Sequence, residues 1–259
     1  MSLLIDTSFL WNETVWNPSM ISTALWLDAA DASTVTTVSG AVSQWNDKSG
    51  NGRNATEATN RPALTANALN GKNAVTFDGT NDLLTINASF LATTNLLIIC
   101  VAKENNGGFG GVITSKASSN TDGSPAININ SSRLYEFDPG VGNGSIFLTL
   151  TSTTTGVAWR LIAGQILSST SSLIAVDGTS EATSSNSITF ADTASTTVLG
   201  KYRVSDTNFG AFDLAEIVVL TAGSTLGSRQ KLEGYLAHKW GLTANLPSDH
   251  PYKTVGPKP

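Results

Sequence analysis

Between Ala24 and Ile86 the chain runs ALWLDAAD, then QWNDKSGNGRNAT, then NGKNAVTFDGTNDLLTI: short apolar runs parted by corners of Asp, Asn and Gly. Corners that tight need left-handed backbone, which Gly adopts freely and Asn and Asp tolerate. A chain patterned in this way is committed to short strands joined by sharp turns. Composition points the same way, since only 14 % of the 259 residues are charged and Gly number 23, which suits strands and turns better than helices.

The pattern continues downstream. Apolar runs LLIICVA (96–102), GVITS (111–115), AININ (126–130), RLYEF (133–137), SIFLTL (145–150), AWRLIAG (158–164), SLIAV (172–176), SITF (187–190) and TTVLG (196–200) alternate with turn signals. Asn143-Gly144 and Asp177-Gly178 mark tight corners, so the runs read as antiparallel strands. The expected fold is all-β: an antiparallel two-sheet jelly-roll sandwich. FDLAEIVVL (212–220) loses its alternation toward the end, as a central strand covered on both faces does. Gly107–Gly111 and Ser118–Ser124 read as loops.

One helix is expected over Leu226–Trp240. Thr225 caps it, Gly241 ends it, and Leu232, Tyr235, Leu236 and Trp240 share one face. Beyond it, LPSDHPYKTVGPKP carries four prolines and reads as an extended tail. The expected organisation is an N-terminal arm (1–23), one sandwich domain (24–245) and a C-terminal tail (246–259). The arm mixes Leu3, Leu4, Ile5, Phe9, Leu10, Trp11 and Trp16. Such apolar surface gains by leaving water, so the arm should dock on its own domain or on a partner.

A net charge of −5 and a pI near 4.9 argue against nucleic-acid binding, which draws its affinity from Lys and Arg on phosphates. No apolar stretch approaches the roughly 18 residues of a membrane span. The first residues lack a basic n-region and Asp6 interrupts them, so no secretory signal is expected. Cys100, the only cysteine, lies in an apolar run and is expected to be a buried strand residue.

The order LWLDAAD, QWNDKSGNG, then YLAHKWGL (Tyr235 to Leu242) after the last strand resembles the laminin-G-like, concanavalin A-like lectin/glucanase domains, in the form frequent in tailed-phage virion proteins and bacterial surface proteins. The resemblance covers Ala24 to Tyr252. It implies a non-enzymatic virion structural protein, made in the host cytoplasm, serving as capsid decoration or tail-fibre component. Its implied partners are other virion proteins, reached through the N-terminal arm, further copies of itself as a homo-oligomer, and a cell-surface glycan. The alternative is a carbohydrate-binding lectin of the bacterial surface.

Related glucanases carry E-x-D-x-x-E on one strand face, because retaining hydrolysis needs two carboxylates about 5 Å apart. Here Glu136-Phe137-Asp138 begins that motif, but Val141 takes the third acidic position. Glu136 and Asp138 therefore read as ordinary strand-end or turn carboxylates, and no catalytic residue is assigned. His238 and His250 accompany no nucleophile elbow and read as surface or packing residues. Some laminin-G-like domains bind calcium, for which Asp47 with Asn51, or Asp78 with Asp82, offer hard oxygen ligands. The same residues serve Asx-turns, the preferred reading. For a glycan, pyranose faces stack on aromatic rings. Trp26, Trp45 and Trp240 read as core and Trp159 as a strand residue, leaving Tyr135, Tyr202 and Phe209 as platforms, with Arg203 nearby.

Overall fold

The computed structural model describes residues 16–117, 124–141, 147–190 and 193–259. Its strands are β1 (Leu25–Asp28), β2 (Val35–Val38), β3 (Ala41–Trp45), β4 (Ala55–Thr56), β5 (Ala63–Leu69), β6 (Lys72–Asp78), β7 (Leu84–Ile86), β8 (Leu96–Glu104) and β9 (Gly110–Lys116). There follow β10 (Ala126–Ile129), β11 (Leu134–Val141), β12 (Phe147–Thr155), β13 (Arg160–Ser168), β14 (Ser171–Val176), β15 (Thr179–Ser184), β16 (Thr193–Leu199), β17 (Ala211–Leu220) and helix α1 (Leu226–Trp240).

All strand pairings are antiparallel, and they build two layers. One runs β15-β14-β13-β8-β17-β6-β5, with β1 beside the later half of β17. The other runs β12-β11-β10-β9-β16-β7-β4-β3-β2. They touch at one side through the pair Ala41 and Ala63. This is the expected sandwich.

Two apolar cores follow from strand alternation. In β8, Leu96, Ile98, Cys100 and Ala102 point between the layers, while Leu97, Ile99 and Val101 point outward beneath α1. Burial pushes the Cys100 thiol up to about 12, as it must where no charge can be solvated. β17 is buried along all ten residues, with Phe212, Leu214, Ile217 and Val219 in the inner core and Ala215, Val218 and Leu220 under the helix. Its missing alternation is thus the mark of a strand covered twice.

Helix α1 has the expected bounds. Thr225 Oγ1 accepts from Ser228 N at 3.1 Å and Ser228 Oγ accepts from Thr225 N at 2.8 Å. Gly241 ends it at φ 70°, a conformation that costs other residues energy. Leu232, Tyr235, Leu236 and Trp240 all face the outer core. At the β14–β15 corner Asp177 and Gly178 both have positive φ, 51° and 85°, as a type I′ turn requires.

Three expectations change. SITF forms a single bridge, Thr189 to Val141, not a strand. It carries the chain from β15 in one layer to β16 in the other, so it pairs only in passing. Gly110 and Gly111 belong to β9, not to a loop. The C-terminal segment is not extended: His250 is buried and its Nε2 lies 3.1 Å from Glu233 Oε2 on α1. Tyr252 packs where a Cβ on Gly234 would stand, and Lys253 Nζ donates to Ala244 O at 2.9 Å. Its prolines shape a fold-back. Residues 1–15 of the arm, the Asn143-Gly144 corner and most of Ser118–Ser124 lie outside the described residues. No described helix is long and apolar enough to cross a membrane.

Candidate functional site

The outward face of the second layer is polar, and strand register explains how it is assembled. Directly opposed residues share a face, and the partners run Thr36, Gln44, Thr56, Thr85, Val198, Thr114, Ala126 and Asp138 across β2, β3, β4, β7, β16, β9, β10 and β11. Their chain neighbours Trp45, Ala55, Leu84, Ile86, Leu199, Ile113, Ile127 and Phe137 point into the core. Hydroxyl, amide or carboxylate residues therefore alternate with core residues on six of these eight strands, Val198 and Ala126 taking the face on β16 and β10.

The face is open at one end. Thr36, Ser43, Gln44, Thr56, Glu57, Ala58 and Thr85 line a shallow groove of about 470 Å³. Gln44 Nε2 donates to Asn46 Oδ1 at 2.6 Å, and Ser43 Oγ to Thr36 O at 3.1 Å. Glu57 Oε1 accepts from Thr59 N and Asn60 N at 2.9 and 3.2 Å, which fixes its carboxylate. A wall of fixed hydroxyl, amide and carboxylate groups is one that hydrogen-bonds a polyhydroxylated ligand without first being ordered.

Toward its other end the face is covered. Gly111 lies opposite Asn128, and a Cβ on Gly111 would overlap the Lys201 carbonyl, just as one on Gly110 would overlap Gly210. These glycines let the loop from Lys201 to Gly210 cross the sheet. Beneath it Lys116 and Asp138 form an ion pair with side chains 0 and 1 % exposed. Asp138 also accepts from Asn128 Nδ2 and Thr149 Oγ1, both at 2.6 Å. Burial holds the Lys116 ammonium below its usual range against the opposing charge of Asp138, and burial raises the Glu136 carboxyl. Asp138 is thus a mid-strand, buried ion-pair partner, not a strand-end carboxylate. Its oxygens are already bound to Lys116, Asn128 and Thr149.

The aromatic expectations divide. Tyr202, Arg203 and Phe209 come together on the covering loop. Tyr202 is mostly buried against Phe109 (ring centroids 4.5 Å), with Lys116 Nζ 4.6 Å and Arg203 Cζ 4.3 Å from its ring centre. Half-buried Phe209 sits under Lys201 Nζ at 5.1 Å. Tyr135 is corrected: it is fully buried in the inner core, its hydroxyl donating to Ala102 O at 3.3 Å. Alternation carried that signal, because Tyr135 and Phe137 must share the face opposite Glu136 and Asp138.

The four calcium candidates lie in turns. Asp47 accepts from Trp26 N, Ser49 N and Arg53 N at 2.9–3.0 Å, and Asn51 Nδ2 donates to Thr23 O at 2.9 Å. The QWNDKSGNG loop thereby seals the free edge of β1. Asp78 accepts from Thr80 N at 2.7 Å, and Asp82 from Asp78 N at 3.0 Å. Among the described residues, no group of three or more His, Cys, Asp or Glu is placed to hold a metal ion. EGTA is therefore expected to leave the melting temperature unchanged, and a fall that calcium reverses would overturn the turn reading.

Burial pushes the Asp82 carboxyl up to about 6, the neighbouring Asp78 carboxylate adding to it against the Asp78 N–H. A carboxyl raised from 3.8 to about 6 favours the fold most at low pH and loses that contribution as pH climbs through the interval. Asp82→Asn should be more stable than the parent at pH 7.5, with the gap closing below pH 4; thermal melts at both pH values check it.

Trp26 and Trp240, expected in the core, and Tyr235, expected on the packed face of α1, meet at Glu216. Trp26 Nε1 and Trp240 Nε1 each donate to its carboxylate at 2.7 Å, and Tyr235 OH donates at 3.2 Å. Lys239 Nζ bridges Glu216 and Asp28 at 2.6 and 2.7 Å, and Lys48 Nζ joins Asp28 to Asp31 at 2.9 and 2.8 Å. LWLDAAD, QWNDKSGNG and YLAHKWGL are in this way three parts of one network, buried at Glu216 and partly exposed at Lys48 and Asp31, that clamps the helix to the sheet.

The sequence matches no protein-family model, and no curated protein is similar to it. Its fold is similar to part of a Trypanosoma rangeli sialidase in complex with sialic acid (TM-score 0.59, 13 % identity, 84 % of this chain and 33 % of that one). It is also similar to the botulinum neurotoxin serotype D binding domain (0.56, 14 %, 82 % and 50 %) and the binding domain of Paraclostridial Mosquitocidal Protein 1 (0.57, 10 %, 83 % and 52 %). The chain spans a third to about half the length of these proteins. At such identities the likeness is one of fold: a large antiparallel β-sandwich that recurs within a sialidase and in toxin binding domains.

Proposed function

We propose that this chain is a non-enzymatic, lectin-like binding module of concanavalin A-like type, displayed as a homo-oligomer on a tailed-phage virion as capsid decoration or tail-fibre component, where it takes a cell-surface glycan. The observation that carries the binding role is the open groove of Thr36, Ser43, Gln44, Thr56, Glu57 and Thr85. Hydroxyls and an amide on strands β2, β3, β4 and β7, with the Glu57 carboxylate held in the turn after β4, match the donor and acceptor density of a sugar, and Glu57 adds charge-assisted bonds to ligand hydroxyls. Binding domains of similar fold support the same role. The absence of catalysis rests on Asp138, whose oxygens are bound to Lys116, Asn128 and Thr149, and on Val141 in place of a third carboxylate.

A glycan array followed by calorimetry tests the binding role. One glycan class should bind saturably, and Gln44→Ala or Glu57→Gln should weaken it about tenfold, as loss of a hydrogen bond to or from a charged or fixed group does. No binding across the array, or binding indifferent to both variants, would sink it. Banding particles on a density gradient, with mass spectrometry of each fraction, tests the virion role: peptides should track intact particles at a fixed ratio. Peptides confined to the cell envelope would favour a bacterial surface lectin instead.

A further inference from the structure

The polar groove of the second layer has a charge as well as a shape. Of the described residues that line it, Glu57 alone is charged, and none is aromatic. Glu57 is held from several sides. Its N–H donates to Ser43 O at 3.1 Å, and its Oε1 accepts from Thr59 N and Asn60 N. Arg61, in the same turn, donates from Nε to Glu57 O at 3.1 Å and so binds the backbone. The second carboxylate oxygen, Oε2, makes no hydrogen bond or ion pair among the described residues. The groove therefore presents one fixed negative charge with an oxygen to spare, set among the neutral donors and acceptors of Thr36, Ser43, Gln44, Thr56 and Thr85.

Resting on the binding role proposed above, we infer that the groove takes an amino sugar: a glycan whose ring carries an unacetylated, protonated amine beside its hydroxyls. A wall without aromatic rings offers no stacking, which leaves hydrogen bonds and charge as its sources of affinity. An ammonium donating to Glu57 Oε2 makes a charge-assisted bond, roughly twice as strong as a neutral one. Because two backbone amides already hold Oε1, little side-chain freedom is lost when that bond forms. An N-acetylated sugar sets a neutral amide where the ammonium would stand and lacks the ionic contribution. An acidic sugar is disfavoured further, since it sets carboxylate against carboxylate in a groove whose described lining holds no cation, and like charges brought together in this way exclude a ligand.

Calorimetry with oligomers of glucosamine, N-acetylglucosamine and glucuronic acid, matched in length, tests this. The glucosamine oligomer should bind about tenfold more tightly than its acetylated counterpart, the effect of one hydrogen bond to a charged group, and the glucuronic acid oligomer should bind most weakly. Glu57→Gln should erase the preference, and added salt should weaken the glucosamine oligomer alone. Asp249 is an exposed carboxylate outside the groove, and Asp249→Asn should leave all three affinities unchanged. That variant separates a site from the general attraction of a cation to a chain of charge −5. Equal or tighter binding of the acetylated oligomer, tightest binding of the acidic one, or an equal loss in Asp249→Asn and Glu57→Gln would overturn the inference, while the binding role stands if Gln44→Ala still weakens the bound glycan. If none of the three binds, the glycan array decides. An amino sugar of another configuration that Glu57→Gln weakens supports the inference, a neutral or acidic glycan that Gln44→Ala weakens overturns it alone, and an array without binding overturns the binding role with it.

Discussion

Glu216→Ala is expected to cost about 3–5 kcal/mol, the range for breaking a buried charged cluster from one side, and so to lower the melting temperature on the order of 10 °C. The carboxylate is fully buried and accepts from two indoles, a phenol and a lysine. Its removal strands those donors in a site closed to water. Burial raises the Glu216 carboxyl while Lys239 opposes that rise, so the charged form is held by its partners alone. Glu216→Gln should cost less, because the amide oxygen still accepts from one indole. Denaturant unfolding of the three proteins checks the order parent, Gln, Ala. Equal stability of Ala and parent would mean that the network does not clamp the helix.

Lys116→Met should also cost about 3–5 kcal/mol, since it leaves the Asp138 carboxylate buried opposite an apolar side chain. The double variant Lys116→Met/Asp138→Leu should recover most of that loss, because removing both charges removes the need to hold either. The comparison separates two roles for the covered cluster. If the double variant regains stability and still binds the glycan taken by the groove, the ion pair holds the Lys201–Gly210 loop and is not a ligand contact. If stability returns but binding is abolished, the cluster belongs to the ligand site and the groove is only part of it.

What could be foreseen in the chain was what neighbouring residues decide among themselves. Thr225 and Gly241 bound α1 because capping involves residues a few positions apart, and Asp177-Gly178 forms its corner for the same reason. The carboxylates of Asp47 and Asp78 each accept from the amide two residues on, as Asx-turns do, although the bond from Trp26 N to Asp47 spans 21 positions. Alternation in Tyr135-Glu136-Phe137-Asp138 places Tyr135 in the core, where its ring is closed to a sugar. The fold-back of the C-terminal segment was less accessible, since it depends on His250 reaching Glu233 and on the space above Gly234.

Sequence by itself therefore determined the class of this protein: short antiparallel strands, sharp corners, a doubly covered β17 and one capped helix. Tertiary structure alone decided where its chemistry lies. Trp26 and Glu216 are 190 positions apart, and the groove draws Thr36, Thr56 and Thr85 from separate strands. Turns and caps are settled by local hydrogen bonds and backbone sterics, which a chain displays in order. Convergence is settled by strand register and layer packing, through which residues distant along the chain come to share one face.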